Sequence, residues 1–226
     1  MKIGIIFALK EELEALLKVV KLNKEYNIFD LTFYECEVDN KEIIMVESGI
    51  GKVNSARTTQ ILIDNMKVDY IFNIGVAGAV NKDVSVCDIV IGDKLVQHDF
   101  DITPFNHEKG YIPNVGTYIS SDEYLLKLSK EIKIDTKIHI GTIASGDIFV
   151  NEESMGNKIS SKFNALCTEM EGASIAQVCY LSHIPFLVIR SISDSVNGTN
   201  ELTYDDFLLL SSKMVAKFMQ ELLNKM

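Results

Sequence analysis

Arginine is nearly missing from this chain. Of 22 basic residues only two, Arg57 and Arg190, are arginines, against 32 acidic residues, and the formal net charge is -10. That balance excludes the clustered basic surface of a nucleic-acid binder and disfavours anionic membranes. The four cysteines, Cys36, Cys87, Cys167 and Cys179, form no CxxC pair. Cys167 and Cys179 lie in apolar runs and read as buried free thiols of a reducing, cytoplasmic compartment. The histidines, at 98, 107, 139 and 183, lack metal-ligand spacing, and His98-Asp99 reads as a surface loop pair. No apolar run is long enough to span a membrane, and the opening MKIGIIFALKEE is too short for a secretory signal core. Internal repeats and Pro/Ser-rich linkers are absent, so residues 1–226 are expected to form a single domain. Glycine-rich phosphate cradles are missing too. ESGIGK is not a Walker loop, and NIGVAGAV does not complete a dinucleotide fingerprint, which leaves a nicotinamide oxidoreductase without its binding motif.

What is present is a regular alternation. Short apolar, β-branched runs at 2–8, 43–47, 70–74, 88–96, 137–144, 165–169 and 186–193 read as strands, several apolar on both faces. Amphipathic stretches at 11–20, 53–64, 121–132, 152–160, 172–181 and 204–225 read as helices. The last of these has a core-facing stripe of Phe207, Leu208, Leu210 and Met214. The pattern predicts an α/β fold with helices on both faces and a ligand site beyond the carboxyl ends of the strands. The irregular stretch 98–116 holds Pro104 and Pro113, two of the three prolines.

The strand ends carry the chemistry. Glu11 and Glu12 follow the first strand, where acids in a helix's first turn suit its dipole. Gly49 and Gly51 in ESGIGK, and Val76, Ala77 and Gly78 in NIGVAGAV, allow close backbone approach to a ligand. In ASGDIFVNEE, Phe149 is read either as a stacking surface for a planar base or as a core residue. TEMEGAS places Glu169 and Glu171 in apolar surroundings, where a carboxylate costs several kcal/mol unless it is paired or used. Asp194 lies just past the apolar run PFLVIRSIS. Glu12, Glu171 and Asp194 thus reach one edge of the sheet from three strand ends, with Arg190 on the last strand. Spaced carboxylates suit glycosidic bond cleavage. One acid protonates the leaving group, one activates water, and a negative group steadies the oxocarbenium-like transition state. Glu169 is then the structural neighbour of a working Glu171.

SGIGKV, NIGVAGAV, VCDIVIGD, SGDIFVN, TEMEGASIAQVC and IPFLVIRSISD, in this order and nearly end to end, resemble the 5′-methylthioadenosine/S-adenosylhomocysteine nucleosidases of the nucleoside phosphorylase superfamily. The resemblance implies a three-layer α/β/α sandwich with a central mixed sheet, assembled as a homodimer and needing no metal or organic cofactor. It implies Glu12 as general base, Asp194 as the acid at N7 of adenine, and Glu171 on the ribose hydroxyls with Met170 behind the sugar. Phe149 would stack on adenine and Val150 would bind its edge. Arg190 would place Glu171 or the water. Val76, Ala77, Gly78, Glu169 and Ser193 would complete the nucleoside pocket. Leu9, Ile50 and Tyr204 would line the 5′-alkylthio site, with Ile102, Phe105 and Pro113 supplied by the other subunit. Val76 stands where serine is familiar in such proteins, Leu9 where methionine is, and Tyr204 where phenylalanine is.

Two discriminations rest on the residues themselves. An acid at 194 can donate to N7 and accept from a 6-amino group, whereas an amide suits a 6-oxopurine. A phosphorylase needs cations for phosphate, and arginine is scarce here. The expected function is therefore hydrolysis of methylthioadenosine and adenosylhomocysteine. A phosphate-dependent purine nucleoside phosphorylase and a non-catalytic nucleoside-binding protein stay open as alternatives.

Overall fold

The structure, a computed structural model, describes residues 1–195 and 204–226, without the side chains of Ser195 and residues 204–206. Strand β1 (Lys2–Phe7) is buried on both faces and leads into helix α1 (Lys10–Leu17). A meander follows, made of β2 (Lys21–Ile28), β3 (Leu31–Val38) and β4 (Lys41–Glu47), joined by antiparallel pairings. Helix α2 (Lys52–Ile61) ends in one wide turn, Leu62–Met66, closed by Lys67 in the left-handed region. Then come β5 (Tyr70–Ala79), β6 (Ile89–Gln97), β7 (Ile119–Ser120), α3 (Glu123–Ser129) and β8 (Ile138–Ser145). The chain finishes with α4 (Glu153–Phe163), β9 (Ala165–Glu169), α5 (Gly172–Ser182), β10 (Phe186–Ser195) and α6 (Tyr204–Lys225).

The strands form one mixed sheet in the order β10-β6-β8-β9-β5-β1-β4-β3-β2, and β10 also pairs with β5. The first five strands therefore close into a ring, and the remaining four fan out from β5. Strand β5 makes this possible by its length. On one edge its first half pairs with β1, ending at Ile6↔Asn73. Its last two residues pair on the same side with β9, at Gly78↔Thr168 and Ala79↔Cys167. Between these pairings β5 runs past neither strand, and the candidate site opens at that split.

Two hydrophobic layers cover the sheet. One joins sheet residues to Ile61 and Leu62 at the end of α2 and to Ala173, Ile175, Ala176 and Cys179 of α5. The other joins the opposite face to Leu13 and Leu16 of α1, Leu125 of α3, and Val215, Phe218, Met219, Leu222 and Leu223 of α6. Each fully buried Leu, Ile or Phe contributes about 1.5–3 kcal/mol. The expected stripe on α6 holds at Leu208, which is buried, and at Met214, which packs against the core, but not at Leu210, which is 46% exposed; the core face continues through Val215 to Leu223. The hairpin of β2 and β3 was not expected. Strand β2 is solvated along nearly its whole length and so gives no apolar alternation. Cys167 and Cys179 are buried free thiols, as expected, and Cys36 is buried as well. His98 is not a surface residue: it is 3% exposed, packed beneath Gly146. No helix among the described residues is long and apolar enough to cross a membrane.

Candidate active site

The site begins with an unpaired amide. Where β5 parts from β1, the Val76 N–H has no strand partner, and it donates to Glu12 Oε1 at 2.8 Å. Glu12 sits in the first turn of α1, and its Oε2 reaches back to the N–H groups of Ala8 and Leu9, both at 3.0 Å. This is the reciprocal half of a capping box, used here to fix a carboxylate. Glu12 is 2% exposed. Burial pushes its pKa above the ordinary carboxylate range, against the Arg190 charge and the three amides that favour the ionised form. The Val76 N–H is thus taken by Glu12.

The TEMEGAS turn divides labour between its two acids. Glu169 closes β9 and is spent on structure. Its Oε2 accepts from the N–H groups of Glu171 at 3.0 Å and Gly172 at 2.7 Å, capping α5, and it takes Arg190 on the same oxygen. Its Oε1 takes the hydroxyl of Ser145, whose Oγ also accepts from Ala173 N–H at 2.7 Å. Burial opposes the charge on Glu169, but Arg190, Ser145 and the Gly172 amide outweigh it and hold its pKa low. Glu171 follows at the cap position of α5, 4% exposed, with Oε1 accepting from Gly51 N–H at 2.8 Å. Burial, and then the Glu169 charge, push its pKa up to about 8.

Arg190 is 1% exposed and lies behind the carboxylates. It donates to Glu169 and to Asn73 Oδ1, while Asn73 Nδ2 holds Ile6 O at 3.0 Å. Burial works against its charge, and Glu169, Glu171 and Glu12 together keep it protonated. Among the described residues it makes no hydrogen bond to Glu171, and it acts on that residue through its charge and through Glu169. Asp194, at the bulged end of β10, accepts from the Ser193 hydroxyl at 2.7 Å. Burial raises its pKa against that bond.

One cleft is lined by Glu12, Glu171 and Asp194 together with Leu9, Ile50, Val76, Ala77, Gly78, Phe149, Val150, Glu169, Met170 and Ser193. Phe149 is 60% exposed, which rules out its reading as a core residue. Ala8, Ile148 and Thr168 also line the cleft and were not singled out from the sequence. Ile102, Phe105 and Pro113 do not line it, and Phe105 is 76% exposed. The side chain of Tyr204 lies outside the described residues. Asn73 and Ser145 were missed, although a polar Asn inside the apolar run YIFNIG was a visible signal.

The phosphorylase superfamily model matches residues 2–226. A Haemophilus influenzae 5′-methylthioadenosine/S-adenosylhomocysteine nucleosidase is 37% identical over the whole of both chains. A Campylobacter jejuni aminodeoxyfutalosine nucleosidase is 35% identical over the whole of both. A Helicobacter pylori nucleosidase mutant, solved with 5′-methylthioadenosine in its active site, superposes with a TM-score of 0.94 at 36% identity, over 100% of this chain and 99% of that one. This chain therefore belongs to the phosphorylase superfamily, in the family of the 5′-methylthioadenosine/S-adenosylhomocysteine nucleosidases.

Proposed function

We propose that this chain hydrolyses the N-glycosidic bond of 5′-methylthioadenosine and S-adenosylhomocysteine, releasing adenine and the 5′-thio-substituted ribose. One observation carries the choice of water over phosphate. Four carboxylates, Glu12, Glu169, Glu171 and Asp194, line the cleft, and no lysine or arginine side chain is among its described lining residues. Arg190 is held behind Glu169, and Arg57 pairs with Asp30 on the surface. A phosphate nucleophile would meet negative charge without a cationic partner, whereas water meets a base.

The roles follow from the chemistry. Glu12 takes a proton from water as its oxygen bonds to C1′. The C1′–N9 pair leaves with adenine, and Asp194 delivers a proton to N7 so that the base departs neutral. A raised pKa is the direction that suits both, favouring the protonated acid and a stronger base. In its ionised form the Glu171 carboxylate accepts from the ribose hydroxyls, and its charge favours the oxocarbenium-like transition state. Phe149 stacks on adenine, Val150 binds its edge through the backbone, Met170 backs the sugar and Ser193 orients Asp194. Leu9, Ile50 and Tyr204 take the 5′ substituent. The whole chain acts as one catalytic domain in the cytoplasm, and a homodimer closes the site with Ile102, Phe105 and Pro113 of the partner subunit. The exposure of Phe105 supports that arrangement.

The test is adenine release from 5′-methylthioadenosine in phosphate-free buffer and again with phosphate. Release without phosphate is expected, with free methylthioribose as co-product. Release that needs phosphate would overturn the hydrolase reading. Adenosylhomocysteine and aminodeoxyfutalosine assayed in parallel rank the 5′ substituents.

A further inference from the structure

Three motifs leave residues that the proposed chemistry does not use: Lys52 in SGIGK, Asp99 in the His98-Asp99 pair, and Asp147 in SGD. The fold brings all three together. Lys52 Nζ donates to Asp99 Oδ1 at 2.8 Å and to Gln97 Oε1 at 3.1 Å. The other oxygen of Asp99 accepts from Asp147 N–H at 3.0 Å. Asp147 Oδ1 in turn accepts from Lys52 N–H at 2.8 Å. Gln97 passes the connection on, donating to Gln177 of α5 at 2.7 Å.

This closed circuit lies one residue from the site on two sides. Gly51, next to Lys52, donates its N–H to Glu171 Oε1 at 2.8 Å. Its φ of 99° suits only glycine, and a glycine cap has no side chain for the first turn of α2. Asp147 supplies the missing acceptor from a different loop. Asp147 also opens the segment 147–150 that ends in Phe149 and Val150. The Lys52 and Asp99 side chains are only 18% and 16% exposed, so solvent screens the pair weakly.

We propose that Lys52 is a positioning residue of the hydrolytic site: with Asp99 and Asp147 it locks the turn that holds Glu171 to the loop that carries Phe149. Sugar-side and base-side groups are thereby set at a fixed separation. This rests on the nucleosidase reading. A purely structural role, a helix cap with an ion pair, predicts lost stability and nothing else. A positioning role predicts more. Without the lock the Gly51 N–H no longer favours the ionised form of Glu171, so the acid limb of kcat/KM moves to higher pH.

The experiment compares wild type with Lys52→Met, which keeps most of the aliphatic stem, and Asp99→Asn, which sets an amide N–H against either the Lys52 ammonium or the Asp147 N–H. Adenine release from methylthioadenosine is measured across pH without phosphate, and amide exchange is followed in segments 50–53 and 146–150. The expected result is a fall in kcat/KM of at least tenfold in both variants, mainly in kcat, with the acid limb displaced upward and faster exchange in both segments while the central strands are unchanged. Wild-type kcat/KM and limb in a folded variant would overturn the proposal, even with a lowered Tm. Should one variant not fold, the other decides. If wild type itself releases no adenine, the hydrolase reading fails, and the exchange data still decide whether Lys52 locks the two segments.

Discussion

Gly75 and Glu12 compete for the same space: a Cβ placed on Gly75 would lie 2.5 Å from Glu12 Oε1. The carboxylate cannot simply swing aside, because three backbone N–H groups hold it there. Gly75→Ala is therefore expected to displace the proposed base rather than to unfold the protein. Overpacking of this kind costs about 1–3 kcal/mol, and a misplacement near 1 Å costs about 10²-fold in rate. Adenine release at saturating substrate should fall by about that factor. A variant with wild-type kcat would show that the position of Glu12 is unimportant.

Glu12→Gln removes the base and keeps the size. Loss of a general base lowers the rate by about 10²–10⁴. The same change turns an acceptor into an amide N–H facing the amide of Val76 or those of Ala8 and Leu9, a mismatch of about 1–3 kcal/mol. Both losses are expected in one variant, read by kcat and by urea unfolding. Unchanged kcat would remove Glu12 from the mechanism.

Asp194 is predicted to choose the base as well as to protonate it. Asp194→Asn should cut methylthioadenosine hydrolysis by about 10²–10⁴. The amide can donate to a 6-oxo group, so the ratio of methylthioinosine to methylthioadenosine turnover should rise. The Ser193 hydroxyl, 2.7 Å from Oδ1, can still donate to the amide oxygen, so this bond at the β10 end is kept in the variant. Equal losses on both substrates would confine Asp194 to proton transfer.

The legible parts of this molecule were local and the others were long-range. All seven strands read from apolar runs are present, and β1 and the first half of β10, buried on both faces, show it most clearly in the runs IGIIF and FLVI. The β2–β3 hairpin left no such trace, since β2 is bathed in solvent and KLNKEYNI carries no period. Strand β5 was read as ending at Ile74, with the small residues after it allowing approach to a ligand. It runs on to Ala79, and Gly75 and Gly78 are small there to admit Glu12 and Asp194. The closing of five strands into a ring depends on two residue pairs between β5 and β9, which no local pattern encodes. In the site, the acids were found because carboxylates in apolar sequence are conspicuous. The circuit of Lys52, Asp99 and Asp147 was not, because each looks like an ordinary surface charge and they meet only across separations of 47, 48 and 95 positions.

Glu171 links the site to stability in a direction that can be measured. Burial and the neighbouring Glu169 raise its folded-state pKa to about 8, above the ordinary carboxylate value of about 4.3 that it regains on unfolding. Between those values the folded chain keeps a proton that the unfolded chain has released. The Glu171 contribution is thus full below the unfolded value and is lost as pH rises through the folded one, with a slope of up to about 1.4 kcal/mol per pH unit. Glu171→Gln keeps an oxygen for the Gly51 N–H and cannot ionise. Without ligand, the unfolding free energy of the variant minus that of wild type should grow steadily from pH 5 to pH 8, while adenine release is lost throughout. Glu12 and Asp194 titrate in both proteins, so the difference reads Glu171 together with its charge coupling to Glu169, Arg190 and Glu12. A difference that stays flat across this range would mean that Glu171 ionises as a solvated acid does, and that its role on the ribose hydroxyls needs no help from its surroundings.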